Sequence, residues 1–106
     1  MLKFVGASIL VASAMPAFAG SDSDLIVARE LGQIVSSADI CGYALDAEKV
    51  STYVSEKVAP MDSAARAMFQ SGGGAQKMRL KSMSTVEKAA TCALQAKLAE
   101  KYELTP

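Results

Sequence analysis

The segment from Ser84 to Tyr102, STVEKAATCALQAKLAEKY, says most about the architecture. Ser84 followed three residues later by Glu87 forms a capping box, in which the serine side chain accepts from the Glu87 amide and the Glu87 carboxylate reaches back to the Ser84 amide. Ala, Leu, Lys and Glu, all strong helix formers, fill most of the remaining positions. The spacing predicts a helix from Thr85 to about Tyr102. Val86, Ala90, Ala93, Leu94, Lys97 and Leu98 mark its broad packing face, adjoined by Ala89, Cys92, Ala96 and Ala99. Small side chains on that face suit the close approach of a second helix.

Cys92 sits inside this helix, and the chain's other cysteine is Cys41. A metal site would need further Cys or His ligands, and the chain has no His. A thioredoxin-like redox pair would need Cys-x-x-Cys spacing. The remaining reading is a structural disulfide, Cys41 to Cys92, made in an oxidising compartment. In the chain-entropy model, closing a loop of this length stabilises the fold by about 4 kcal/mol. That is a large share of the roughly 5 to 15 kcal/mol that holds a typical domain.

Upstream, Val27, Leu31, Ile34, Ala38 and Cys41 recur at helical intervals, which predicts a helix over 24–40. Gly32 interrupts it and reads as a tolerated glycine rather than a close crossing. Cys41-Gly42-Tyr43 breaks the pattern, because Gly42 suits the left-handed turn that ends a helix. Asp46 caps a second helix carrying Ala47, Val50, Tyr53, Val54 and Val58, which ends near Ala59 because Pro60 disfavours helical backbone before it. Asp62 or Ser63 caps a short third helix with Ala65, Met68 and Phe69 on its apolar side. Gly72-Gly73-Gly74 reads as its end and as a flexible connector, since the Walker and dinucleotide spacings are both absent. Residues 75–83 read as a short helix or irregular turn. The tail from Glu103 to Pro106 reads as frayed. The expected fold is all-α: one domain over 20–106, a bundle of four to five helices stapled by one disulfide.

Residues 1–19 have the pattern of a cleavable secretory signal: Lys3, an apolar run from Phe4 to Met15, Pro16, then Ala17-Phe18-Ala19 before the expected cut at Gly20. The run is shorter than the about 20 apolar residues that span a bilayer, so no stable membrane anchor is expected. The expected location is the periplasm. Eleven basic residues, Lys3 among them, stand against eleven acidic ones. This balance argues against a nucleic-acid partner.

No His and no Trp occur, and the imidazole general base and metal ligand are missing with them. Glu48, Glu56, Asp62 and Glu87 could serve as acid and base, but read better as caps and solvated faces. Ser84 has a cap to make and no activating base. No catalytic residue, metal or cofactor is therefore expected. Copper handling by the methionines is disfavoured, because no tight Met-x-Met repeat is present.

Four methionines fall in one segment with Phe69: Met61, Met68, Met78 and Met83. Soft, adaptable side chains suit a promiscuous apolar surface, although filling gaps in a small core is their commoner role. These five residues are the candidate binding surface. Lys77, Arg79 and Lys81 form a candidate basic patch for an acidic partner, against the plainer reading of a solvated face.

With Cys41-Gly42-Tyr43 ahead of the Val50, Tyr53, Val54 helix, and Thr91-Cys92-Ala93 inside the last one, residues 41 to about 98 resemble a group of small two-cysteine helical periplasmic proteins without an assigned activity. The layout is also similar to HdeA-type acid-stress chaperones. That resemblance implies a small helical fold with one long-range disulfide and apolar surface offered to protein clients in acid. It rests on the export signal, the length and the positions of Cys41 and Cys92, and it carries over no client-binding residue. The expected function is a non-enzymatic periplasmic protein with a binding or protective, chaperone-like role. The alternative is an inhibitor or accessory subunit that docks on one envelope partner.

Overall fold

The computed structural model describes residues 23–106. The expected signal over 1–19 lies outside them. Among the described residues the chain forms four helices and no strand: α1 over 23–41, α2 over Ala47–Tyr53, α3 over Ser63–Ser82 and α4 over Thr85–Lys101. The all-α fold and the single staple are as the sequence reads. The Cys41–Cys92 bridge joins the end of α1 to the middle of α4.

Each helix boundary has a local cause. The Asp46 carboxylate accepts from the Lys49 amide at 3.0 Å, and Asp62 accepts from the Ala65 amide at 3.0 Å, so α2 and α3 both begin on aspartate caps. Both halves of the Ser84–Glu87 capping box are formed. Gly42, at φ +79°, ends α1, and its amide donates to the Ala38 carbonyl at 2.8 Å. Beyond Tyr53 the second helix widens into a π turn over Val54–Val58 and stops before Pro60, with the Ala59 amide donating to the Val54 carbonyl.

Two glycine readings are corrected. Gly72-Gly73-Gly74 is no connector, because α3 runs through it to Ser82 and the segment 75–83 largely belongs to the same helix. Three helical glycines cost about 1 kcal/mol each relative to alanine, and packing against α1 offsets part of that cost. Gly72 and Gly73 are buried; a Cβ on Gly72 would lie 3.1 Å from the Arg29 side chain, and one on Gly73 would lie 3.3 Å from the Gly32 carbonyl oxygen. Gly32 is accordingly not a merely tolerated residue but the α1 side of a backbone-to-backbone crossing.

The main core gathers Leu31 and Ile34 of α1, Val58 of the π turn, Ala99 of α4 and Leu104 of the tail, with Tyr43, Tyr53, Met61, Phe69 and Leu98 packed around them. Burying an aliphatic side chain of this size stabilises the fold by about 1.5 to 3 kcal/mol. Leu104 corrects the expectation of a frayed tail. Its carbonyl accepts from the Asp46 amide at 2.8 Å, and the Lys49 ammonium donates to the Thr105 carbonyl at 2.9 Å. The tail is placed by a six-to-one turn at the end of α4: the Leu104 amide donates to Ala99 and the Glu103 amide to Glu100, with Glu103 at φ +59°.

The expected packing face of α4 is also corrected. Val86 and Leu94 are 79% and 57% exposed, and Ala89, Ala90, Ala93 and Lys97 face water with them. The buried side of α4 instead carries Gln95 and Ala99, flanked by half-buried Thr91, Cys92, Leu98 and Tyr102. The bridge sets this rotation, because Cys92 must face Cys41. The side it turns outward carries the apolar residues Val86, Ala89, Ala90, Ala93 and Leu94.

Candidate functional site

An open cleft of about 540 Å³ lies between α2 with its π turn and the end of α4. Tyr53 and Tyr102 meet there edge to face, with ring centroids 5.7 Å apart. The Tyr102 hydroxyl donates to the Glu30 carboxylate of α1 at 2.8 Å. Burial, then the bond to Glu30 and its negative charge, push the Tyr102 phenol up to about 12. Burial and the same carboxylate raise Tyr53.

Asp46, Glu48, Glu56 and Glu103 line the cleft opposite Lys49 and Lys57. Asp46 is occupied as a cap and Lys49 is tied to the tail carbonyl. Glu48 and Glu56 thus share one surface, but Asp62 and Glu87 serve elsewhere as caps. The Glu87 carboxyl is held below the usual range by its bonds from Ser84. Among the described residues no cluster of three or more His, Cys, Asp or Glu side chains is arranged to hold a metal ion.

The candidate methionine surface is divided by the rotation of α3. Met61 and Phe69 pack against the core, Met68 and Met83 are half-buried, and Met78 is 74% exposed on the opposite side. Met83 lies over α4, where the Thr91 hydroxyl approaches its sulfur at 3.5 Å. Lys77, Arg79 and Lys81 are all exposed, but Arg79 donates to the Gln76 side chain at 2.7 Å. Lys77 borders a second hollow of about 380 Å³ between α1 and α3, beside Asp39, Phe69 and Gly74.

Sequence reading missed two features. The Tyr53–Tyr102–Glu30 contact joins three distant parts of the chain, and no local spacing announces it. The apolar outer face of α4 was visible as a stripe but assigned to the interior, since periodicity gives a stripe's existence and not what covers it. No family model, no curated protein and no solved structure matches the chain.

Proposed function

We propose that this is an exported, non-enzymatic protein of the periplasm that acts by binding other polypeptides, in a protective, chaperone-like role. The observation that carries the reading is the outward face of α4. A helix in a disulfide-stapled fold leaves Val86, Ala89, Ala90, Ala93 and Leu94 in water while its opposite side packs Cys92, Gln95, Leu98 and Ala99 inward. A contiguous apolar surface of this kind suits apolar segments of partly unfolded chains. The disulfide suits an oxidising compartment, and among the described residues no helix is long and apolar enough to cross a membrane.

The binding surface so inferred differs from the methionine segment, whose inward half, Met61 and Phe69, is engaged by the core. Docking on a single envelope partner, as an inhibitor or accessory subunit, is the second reading. Small side chains at Ala89, Ala90 and Ala93 favour it, because they would let one partner helix approach closely. The test is suppression of aggregation of a heat-denaturing enzyme at neutral and acid pH. The wild type should lower the light scattering and Leu94→Glu should do so less; no suppression at either pH removes the chaperone reading.

A further inference from the structure

We propose that the Tyr53–Tyr102 cleft is a second binding site, separate from the outer face of α4, and that it takes a small linear polyamine. Its volume of about 540 Å³ falls within the roughly 300 to 1,000 Å³ usual for small-ligand pockets. Its α2 wall repeats every four residues: Glu48 with Lys49, Thr52 with Tyr53, and Glu56 with Lys57. Such a repeat drifts around a regular helix of about 3.6 residues per turn. The π turn over Val54–Val58 rotates less per residue, which limits the drift and keeps Glu56 nearer the line of Glu48. Two carboxylates about 12 Å apart along the helix axis thus flank an aromatic ring.

The chemistry of the lining selects the ligand. Carboxylates outnumber ammonium groups four to two, and Glu30 adds a further negative charge at the Tyr102 hydroxyl. An anion is disfavoured further, because Asp46 covers the amide end of α2 and the Lys49 ammonium is held by the Thr105 carbonyl. Besides the two rings, Leu104 is the one hydrocarbon side chain in the lining, so an apolar ligand finds little to bury against. A metal ion needs its ligands gathered at one point, and Glu48 and Glu56 are spread along the wall. A flexible chain with ammonium groups at intervals fits that spread. Its ends reach Glu48 and Glu56 while its middle lies over the aromatic rings. Ring faces attract cations, and the hydrogen bond that Tyr102 donates to a carboxylate enriches its ring in electron density.

Titration of the oxidised protein with spermidine, followed by nuclear magnetic resonance, tests this. Saturable shifts should appear at Tyr53, Glu56 and Tyr102, and triethylene glycol, a neutral chain of similar length, should produce none. Glu48→Gln/Glu56→Gln should weaken binding at least fivefold. Asp24→Asn/Asp39→Asn, an equal change of net charge at exposed positions outside the cleft, should weaken it less than twofold. Tyr53→Phe keeps the ring face and should bind within twofold of the wild type, whereas Tyr53→Leu should lose at least threefold with its circular dichroism unchanged. Equal losses in the two double variants would mean general charge attraction only and would overturn the proposal. Absence of saturable shifts with spermidine would overturn it too.

Discussion

Gly32 of α1 packs directly on the backbone of Phe69 in α3, so that a methyl group at Gly32 would overlap the Phe69 carbonyl oxygen. The obstructing atom belongs to a helix backbone and cannot swing aside. Gly32→Ala should therefore lower stability by about 3 kcal/mol, the upper part of the usual overpacking range. Gly74 lies in the same glycine run, but a Cβ there meets nothing within 4 Å. Gly74→Ala should raise stability by roughly 0.5 to 1 kcal/mol, because alanine loses less backbone entropy in a helix. Chemical denaturation of the two variants distinguishes a helical crossing from a flexible connector, in which both substitutions would be near neutral.

The C-terminal turn gives a second pair. Leu104 is 1% exposed within the main core, so Leu104→Ala should cost about 3 kcal/mol. Glu103 occupies the left-handed position that usually holds glycine. Glu103→Gly should leave stability unchanged or raise it by up to about 1 kcal/mol, because relief of the side-chain clash competes with extra entropy in the unfolded chain. Thermal unfolding of both variants checks this. A harmless Leu104→Ala would mean that the tail is not docked.

What was legible in the sequence was whatever depends on neighbours along the chain. The Asp46, Asp62 and Ser84 caps, the Gly42 turn and the stop before Pro60 are local devices, and the helices start or end where these devices stand. The glycine run failed because propensity alone prices Gly72 and Gly73 as helix breakers, whereas contact with Arg29, Gly32 and Ser36 holds them in a helix. Leu104 failed because its distant anchor, the Asp46 amide, and the core it enters are supplied by the tertiary fold, and the local turn to Ala99 needs Glu103 in a left-handed conformation that glutamate rarely adopts. The rotation of α4 failed because both its sides carry small or apolar residues. The bond to Cys41 decides which side is inside.

Alkali should weaken the fold through its tyrosines. Burial pushes the Tyr43 phenol up to about 12, and burial with Glu30 does the same for Tyr102, against 10.0 for a free phenol. A folded-state value raised above the unfolded one contributes stability that is complete below pH 10 and is lost as pH rises toward 12. Phenolate absorbance should show two late-ionising tyrosines, with loss of helicity accompanying them. Tyr102→Phe should remove one late phenol and cost about 1 to 2 kcal/mol through its bond to Glu30. Ordinary titration of all three tyrosines near pH 10 in the folded protein would contradict the packing around Tyr43 and Tyr102.

The outer face of α4 bears on the proposed function through single substitutions that leave the fold intact. Ala90→Gln keeps a good helix former at an exposed position, so helix content and unfolding temperature should stay as in the wild type. The longer side chain would block close approach of a bound segment. Suppression of aggregation should fall at least twofold in Ala90→Gln, with circular dichroism confirming the fold. Undiminished suppression would place binding on another surface.

Binding of polypeptides on the outward side of α4 can be observed residue by residue, by titrating isotope-labelled oxidised protein with a reduced, unfolded polypeptide and recording nuclear magnetic resonance spectra. Amide shifts should concentrate at Val86, Ala90, Ala93 and Leu94, and should vanish in Leu94→Glu. An unchanged spectrum, or shifts confined to the Tyr53–Tyr102 cleft, would contradict binding on this face.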